Sequence, residues 1–150
     1  MAEIRLYHLL TQPLERALPA ILGKILSTDR RAYVRFPDIK QAKYFNDQLW
    51  TYSPDSFLPH GLSDGSHADK QPVLIGIQSE NPNKAEVLVL CNQQEVPDNI
   101  AEFTLCCDFF DGQNDDAVSD ARSRWKAYKD GGHTVSYWQQ TESGSWEQKA

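Results

Sequence analysis

EIRLYHLLTQPLERALPAILGKILSTDRRAYVRF, residues 3–36, decides the fold. EIRLYHLL (3–10) reads as a strand. Thr11 is placed to cap a following helix, with Pro13 in its first turn, where a missing N–H is harmless. Leu14, Leu18, Ile21, Leu22 and Ile25 then recur at helical spacing, so this helix buries one face. Pro19 interrupts the pattern and predicts either a kink or a later helix start. RAYVRF (31–36) alternates as a second strand. Just beyond it, Asp38 and Gln41 form a capping pair for a second helix. The apolar positions of that helix are Ile39, Ala42, Phe45 and Leu49, and it ends near Trp50. The chain therefore opens β-α-β-α, which implies parallel strands joined by helical crossovers.

Working outward, residues 51–71 hold Pro54, Pro59, Gly61 and Gly65 and read as loop. PVLIGI (72–77) and AEVLVLC (85–91) read as strands, joined either as a hairpin or by a longer connection through SENPNK. FTLCCDFF (103–110) reads as another strand. A helix of about 15 residues follows, ending at Gly131–Gly132. HTVSYWQQ (133–140) is the last predicted strand, and TESGSWEQKA (141–150) reads as a flexible tail.

The chain's 150 residues suit a single domain, and an apolar fraction of 40% is enough for one core. The net charge is −6, which repels phosphate backbones at long range and argues against strong direct nucleic-acid binding. MAEIRLYHLL lacks the basic and apolar regions of an export signal, and no run approaches the ~18 apolar residues of a membrane span. Cys91, Cys106 and Cys107 lie in apolar runs without a CxxC spacing. They read as reduced, buried residues of a cytoplasmic protein.

Few motifs carry chemistry. No glycine-rich phosphate loop follows the first strand, so a Rossmann-like fold here brings no cofactor with it. His8, His60, His67 and His133 make no metal-ligand spacing. Ser56 and His60 stand four apart in a Pro-rich loop, where His60 reads more simply as a loop residue bonded to backbone. Asp115, Asp116 and Asp120 read as complements to the positive end of the helix they begin, rather than as a cation site.

One stretch stands out. ARSRWKAYKDGG (121–132) puts four cations beside Trp125 and Tyr128 in an acidic chain. At 100° per residue, Arg122, Trp125, Lys126 and Lys129 share one face. Ala117, Ala121 and Tyr128 turn toward the core, and Arg124 lies off the basic arc. Helix-dipole electrostatics explains cations near the C-terminal end. It does not explain their alignment beside an indole, which suits an acidic peptide ending in an aromatic residue.

Several blocks together resemble the chi subunit of bacterial DNA polymerase III. They are QAKYFNDQLWTYSPDSFLPHGL (41–62), ENPNKAEVLVLCNQQEVP (80–97), FTLCCDFFDG (103–112) and ARSRWKAYKDGGHTVSYW (121–138). The resemblance runs over roughly residues 1–140. It implies a single three-layer α/β/α domain around a mixed, mostly parallel sheet, without catalysis or cofactor. It implies an accessory subunit of the clamp-loader complex that grips the acidic C-terminal tail of single-stranded-DNA-binding protein, and that pairs with the psi subunit. On this resemblance Arg122 and Lys126 engage the tail, Trp125 takes the aromatic position, and Phe110 lines the same pocket; Lys129 completes the basic arc. Trp50 and Phe57 fall on the psi-facing surface. The pair Cys106–Cys107 departs from the β-branched residues usual in the family at that point. Two competing expectations are a nucleotide- or phosphate-binding α/β enzyme and a direct single-stranded-DNA binder.

Overall fold

The computed structural model describes residues 2–51, 60–62, 70–93 and 96–150. The strands are β1 (Glu3–Leu9), β2 (Ala32–Arg35), β3 (Gly61–Leu62), β4 (Val73–Gly76), β5 (Val87–Cys91), β6 (Leu105–Asp111), β7 (Thr134–Gln140) and β8 (Trp146–Gln148). The helices are α1 (Leu14–Ser27), α2 (Ile39–Thr51) and α3 (Asp115–Asp130). The strands form one mixed sheet in the order β3-β4-β2-β5-β6-β1-β7-β8. Every pairing is parallel except β7 with β8.

Alternation along the strands sends side chains to two cores. On one face Tyr7, Leu9, Val34, Val89 and Phe109 meet Leu18 and Leu22 of α1 and Phe45 of α2. On the other Ile4, Leu6, Leu88, Cys106 and Phe110 meet Ala121 and Tyr128 of α3. The result is the expected α/β architecture with helices on both faces. The central strands β4 and β5 are buried throughout, as strands covered on both sides must be. All three cysteines are free and buried. Burial pushes the Cys107 thiol up to about 12 and those of Cys91 and Cys106 well above the ordinary value.

Several local expectations change. The N-cap of α1 is Pro13, without a side-chain cap bond, and the helix runs from Leu14 straight through Pro19. Thr11, expected to cap it, instead donates its hydroxyl to the Thr141 carbonyl at 2.8 Å. The N–H groups of Leu10, Thr11 and Gln12 all converge on Gln140 Oε1, each at 3.0 Å. Asp38 does cap α2, accepting from Gln41 N and Gln41 Nε2 at 2.9 Å each. Ile39 is 41% exposed and stands outside the core. The β4 and β5 runs are not a hairpin, because β2 lies between them and pairs parallel with both.

The segment expected to be a flexible tail carries β8, antiparallel to β7. Trp146 explains the docking: its ring meets Tyr7 edge-on at 4.9 Å and Phe109 at 6.1 Å. The turn into β8 places Gly144 at φ 86°, where a side chain is strained, and a Cβ there would press on Gln12.

Candidate functional site

The site is built on α3. Asn114 starts the helix by accepting from Asp116 N and Ala117 N at 3.0 and 3.1 Å. Asp115 and Asp116 sit in the first turn, where the macrodipole favours anions. Gly131 closes the other end, and Gly132 takes φ 82° beyond it.

The inner face of α3 is locked by a buried ion pair. Arg124 binds Asp108 of β6 through two parallel bonds, Nε to Oδ2 at 2.8 Å and Nη2 to Oδ1 at 2.9 Å. Its Nη1 donates to the Gln93 carbonyl at 2.6 Å, and Tyr128 donates its hydroxyl to Asp108 Oδ2 at 2.8 Å. Burial works against the Arg124 charge, but Asp108 outweighs it and holds the guanidinium above its ordinary pKa. Burial, with the Asp108 charge added, keeps the Tyr128 hydroxyl protonated far above its usual range. This clamp sets the rotation of α3, and so decides what its outer face presents.

That outer face carries Arg122, Lys126 and Lys129, all exposed, with Trp125 half-buried among them. Lys129 Nζ lies 4.7 Å from the centre of the Trp125 ring, a cation–π contact. The indole meets Tyr137 of β7 edge-on at 6.1 Å. Ala121, Arg122, Trp125, Tyr137 and Ala150 line an open, largely apolar pocket of about 280 Å³. The arrangement offers an aromatic wall with a guanidinium at its edge and two ammonium groups along the same helix face. It can hold an apolar ring and pair carboxylates beside it.

Tyr137 is positioned from behind. Its hydroxyl and His8 Nδ1 are hydrogen-bonded. His8 Nε2 faces the Gly112 carbonyl at 3.4 Å, and a carbonyl can only accept. Nε2 therefore carries the proton, and Nδ1 accepts from the tyrosine. Burial lowers the His8 pKa, Arg122 lowers it further, and the Gly112 carbonyl and Asp111 oppose both. Burial raises the Tyr137 pKa, and Arg122 opposes it. Gly112 is required here, since a Cβ would lie 1.9 Å from His8 Cδ2 and 2.4 Å from the Leu9 carbonyl.

The structure thus brings Arg122 and Trp125 to one pocket, with Lys126 and Lys129 on the same face. Phe110, expected to line that pocket, is 2% exposed and lies beneath it, 6.2 Å from the Tyr137 ring and 5.0 Å from His8. It supports the wall instead of forming it. Phe57 and the side chain of Trp50 lie outside the described residues. His60 is buried and bonded to the Asn46 carbonyl at 3.0 Å. Tyr137, His8 and Ala150 were missed by sequence reasoning, because nothing local links β1, β7 and residue 150.

Among the described residues, no group of three or more His, Cys, Asp or Glu side chains is placed to hold a metal ion. In that same set no helix is long and apolar enough to cross a membrane. A larger cavity of about 650 Å³ lies at the carboxyl ends of β2 and β5, between Arg35, Asp38, Ile77 and Asp98. In the β1–α1 loop, where a doubly wound enzyme would cradle phosphate, three N–H groups already hold Gln140 Oε1.

Comparison with known proteins agrees in one direction. Residues 1–136 match the family described as "DNA polymerase III chi subunit, HolC". The chain is 29% identical over 96 residues to a probable DNA polymerase III subunit chi of Rickettsia prowazekii, covering 64% of this chain and 58% of that protein. It is 27% identical over 131 residues to the DNA polymerase III subunit chi of Haemophilus influenzae, covering 84% of this chain and 90% of the relative. With the Escherichia coli subunit chi it shares 25% identity over 121 residues, covering 81% and 82%.

Proposed function

The chain belongs to the DNA polymerase III chi subunit family, and from that membership we propose a non-catalytic accessory subunit that grips the acidic C-terminal tail of single-stranded-DNA-binding protein through α3. On this reading it links that protein to the clamp-loader assembly in the cytoplasm. A psi-type partner would engage the Trp50 and Phe57 side.

One observation carries the tail-binding reading: the α3–β7 pocket joins an aromatic wall, Trp125 and Tyr137, to the guanidinium of Arg122. An aromatic terminal residue would pack into the pocket, and its neighbouring carboxylates would pair with Arg122 and Lys126. Helix-dipole compensation does not account for Arg122, because that effect fades within the last turn and Arg122 stands in the middle of Asp115–Asp130. A short disordered tail loses conformational entropy on docking, so an affinity of roughly micromolar is expected. Exposed charges are screened within about 8–10 Å at physiological salt, so binding weakens as salt rises.

The test is fluorescence anisotropy of a labelled acidic peptide ending in Phe, titrated at low and moderate salt. Arg122→Ala and Lys126→Ala should weaken binding without moving the melting temperature. Deleting the terminal Phe should cost more than replacing one Asp, because the ring is the buried anchor. Equal affinity in both variants would remove the site assignment. An oligonucleotide titration and a nucleotide thermal-shift panel separate the two competing functions.

A further inference from the structure

We propose that residues 149 and 150 are a built-in occupant of the α3–β7 pocket edge, and that an acidic peptide displaces them when it binds. This inference rests on the reading that the pocket receives such a peptide.

β8 pairs with β7 through Gln140↔Trp146, Gln139↔Glu147 and Trp138↔Gln148. The chain then continues along the same edge. Lys149 N–H and Ala150 N–H both reach the Tyr137 carbonyl, at 2.8 and 3.4 Å. Tyr137 N–H returns a bond to the Ala150 carbonyl at 3.3 Å. Two residues therefore extend the pairing to the tyrosine whose ring walls the pocket. Ala150 itself lines that pocket opposite Arg122 and Trp125.

The segment is anchored unevenly. Trp146 packs on Tyr7 and Phe109, in the core on the opposite face of the sheet from α3. Lys149 and Ala150 are exposed and are held to Tyr137 by backbone bonds, with the exposed Gln148 Nε2 also donating to the Ala150 carbonyl at 3.1 Å. The Lys149 side chain reaches only the exposed Glu147, at 3.2 Å. Residues 149 and 150 can therefore leave the Tyr137 edge while β8 stays docked. An extended peptide carries the same alternation of donors and acceptors, so it can take over the Tyr137 N–H and carbonyl that they release. Strand replaces strand, and the incoming aromatic ring enters where Ala150 stood.

The experiment compares the full chain with one ended after Gln148, which keeps Trp146. Both are titrated with the labelled acidic peptide ending in Phe, and both are checked for an unchanged melting temperature. The shortened chain should bind about three- to tenfold more tightly, because the full chain gives up three exposed backbone bonds and the freedom regained by two residues offsets most of their net strength. In the full chain, adding peptide should speed hydrogen exchange at the Lys149 and Ala150 amides. Equal or weaker binding by the shortened chain, or exchange at those amides that peptide leaves unchanged, overturns the proposal: the two residues are then a fixed wall. Arg122-dependent binding that ignores the shortening removes the displaced segment and keeps the tail site. Absence of peptide binding to either chain removes both.

Discussion

Replacing Arg124 by Ala should be the most destabilising single change on α3. Its guanidinium is 2% exposed and the Asp108 carboxylate 0%. Removing it strips Asp108 of both bidentate bonds and leaves a buried carboxylate with only the Tyr128 hydroxyl. It also frees the Gln93 carbonyl. Breaking a buried pair from one side costs about 3–5 kcal/mol, because the remaining charge is uncompensated. Domains of this size hold only about 5–15 kcal/mol in total. Replacing both partners, Arg124→Met with Asp108→Leu, removes the charge but orphans the Gln93 carbonyl and the Tyr128 hydroxyl. That loss should be about 1–3 kcal/mol for each group left buried and unpaired, with new packing offsetting part of it. The double variant should thus be no worse than the single one, despite two substitutions. Urea denaturation gives the answer through the midpoint at constant slope. A loss below about 1 kcal/mol in Arg124→Ala would refute the claim that this pair fixes α3.

Other consequences follow from the same geometry. Gln140→Ala should cost about 1–3 kcal/mol in urea denaturation, because three N–H donors of the β1–α1 loop lose one acceptor. Gly112→Ala should displace His8, disturb Tyr137 and weaken peptide binding in the anisotropy assay, even though residue 112 lies outside the pocket lining. His8 has a folded pKa below its ordinary value of 6.5. The unfolded chain therefore takes up its proton first as pH falls. Stability should drop as pH descends from about 6.5 toward the folded pKa, by at most about 1.4 kcal/mol per pH unit from this group. Thermal melts of His8→Gln should show a shallower slope across that window.

The elements legible in the sequence were those set by local pattern. The 3.6-residue spacing of Leu14, Leu18, Leu22 and Ile25 marks α1, and the Asp38–Gln41 pair marks the start of α2. The order of the strands was not legible, because it depends on pairings between distant residues. The β4 and β5 runs carry no sign that β2 separates them. β8 was hidden because it is short and mostly polar, with Trp146 as its single apolar residue.

At the site, the helical wheel separated the outer cations from the core stripe. It left Arg124 unexplained, although its angle of about 200° from Arg122 sets it near Tyr128 and Ala121. The signal for its partner was Asp108 itself, a carboxylate inside the apolar run FTLCCDFF. The His8–Tyr137 support had no such signal. It joins residues 129 positions apart.

The most direct test maps where the peptide sits. In an NMR titration of the isotopically labelled protein with the acidic peptide ending in Phe, docking on α3 should shift one cluster of signals. It comprises the Trp125 indole N–H and the amides of Ala121, Arg122, Lys126 and Tyr137. Shifts gathered instead around Arg35, Ile77 and Asp98, at the larger cavity on the carboxyl ends of β2 and β5, would contradict it.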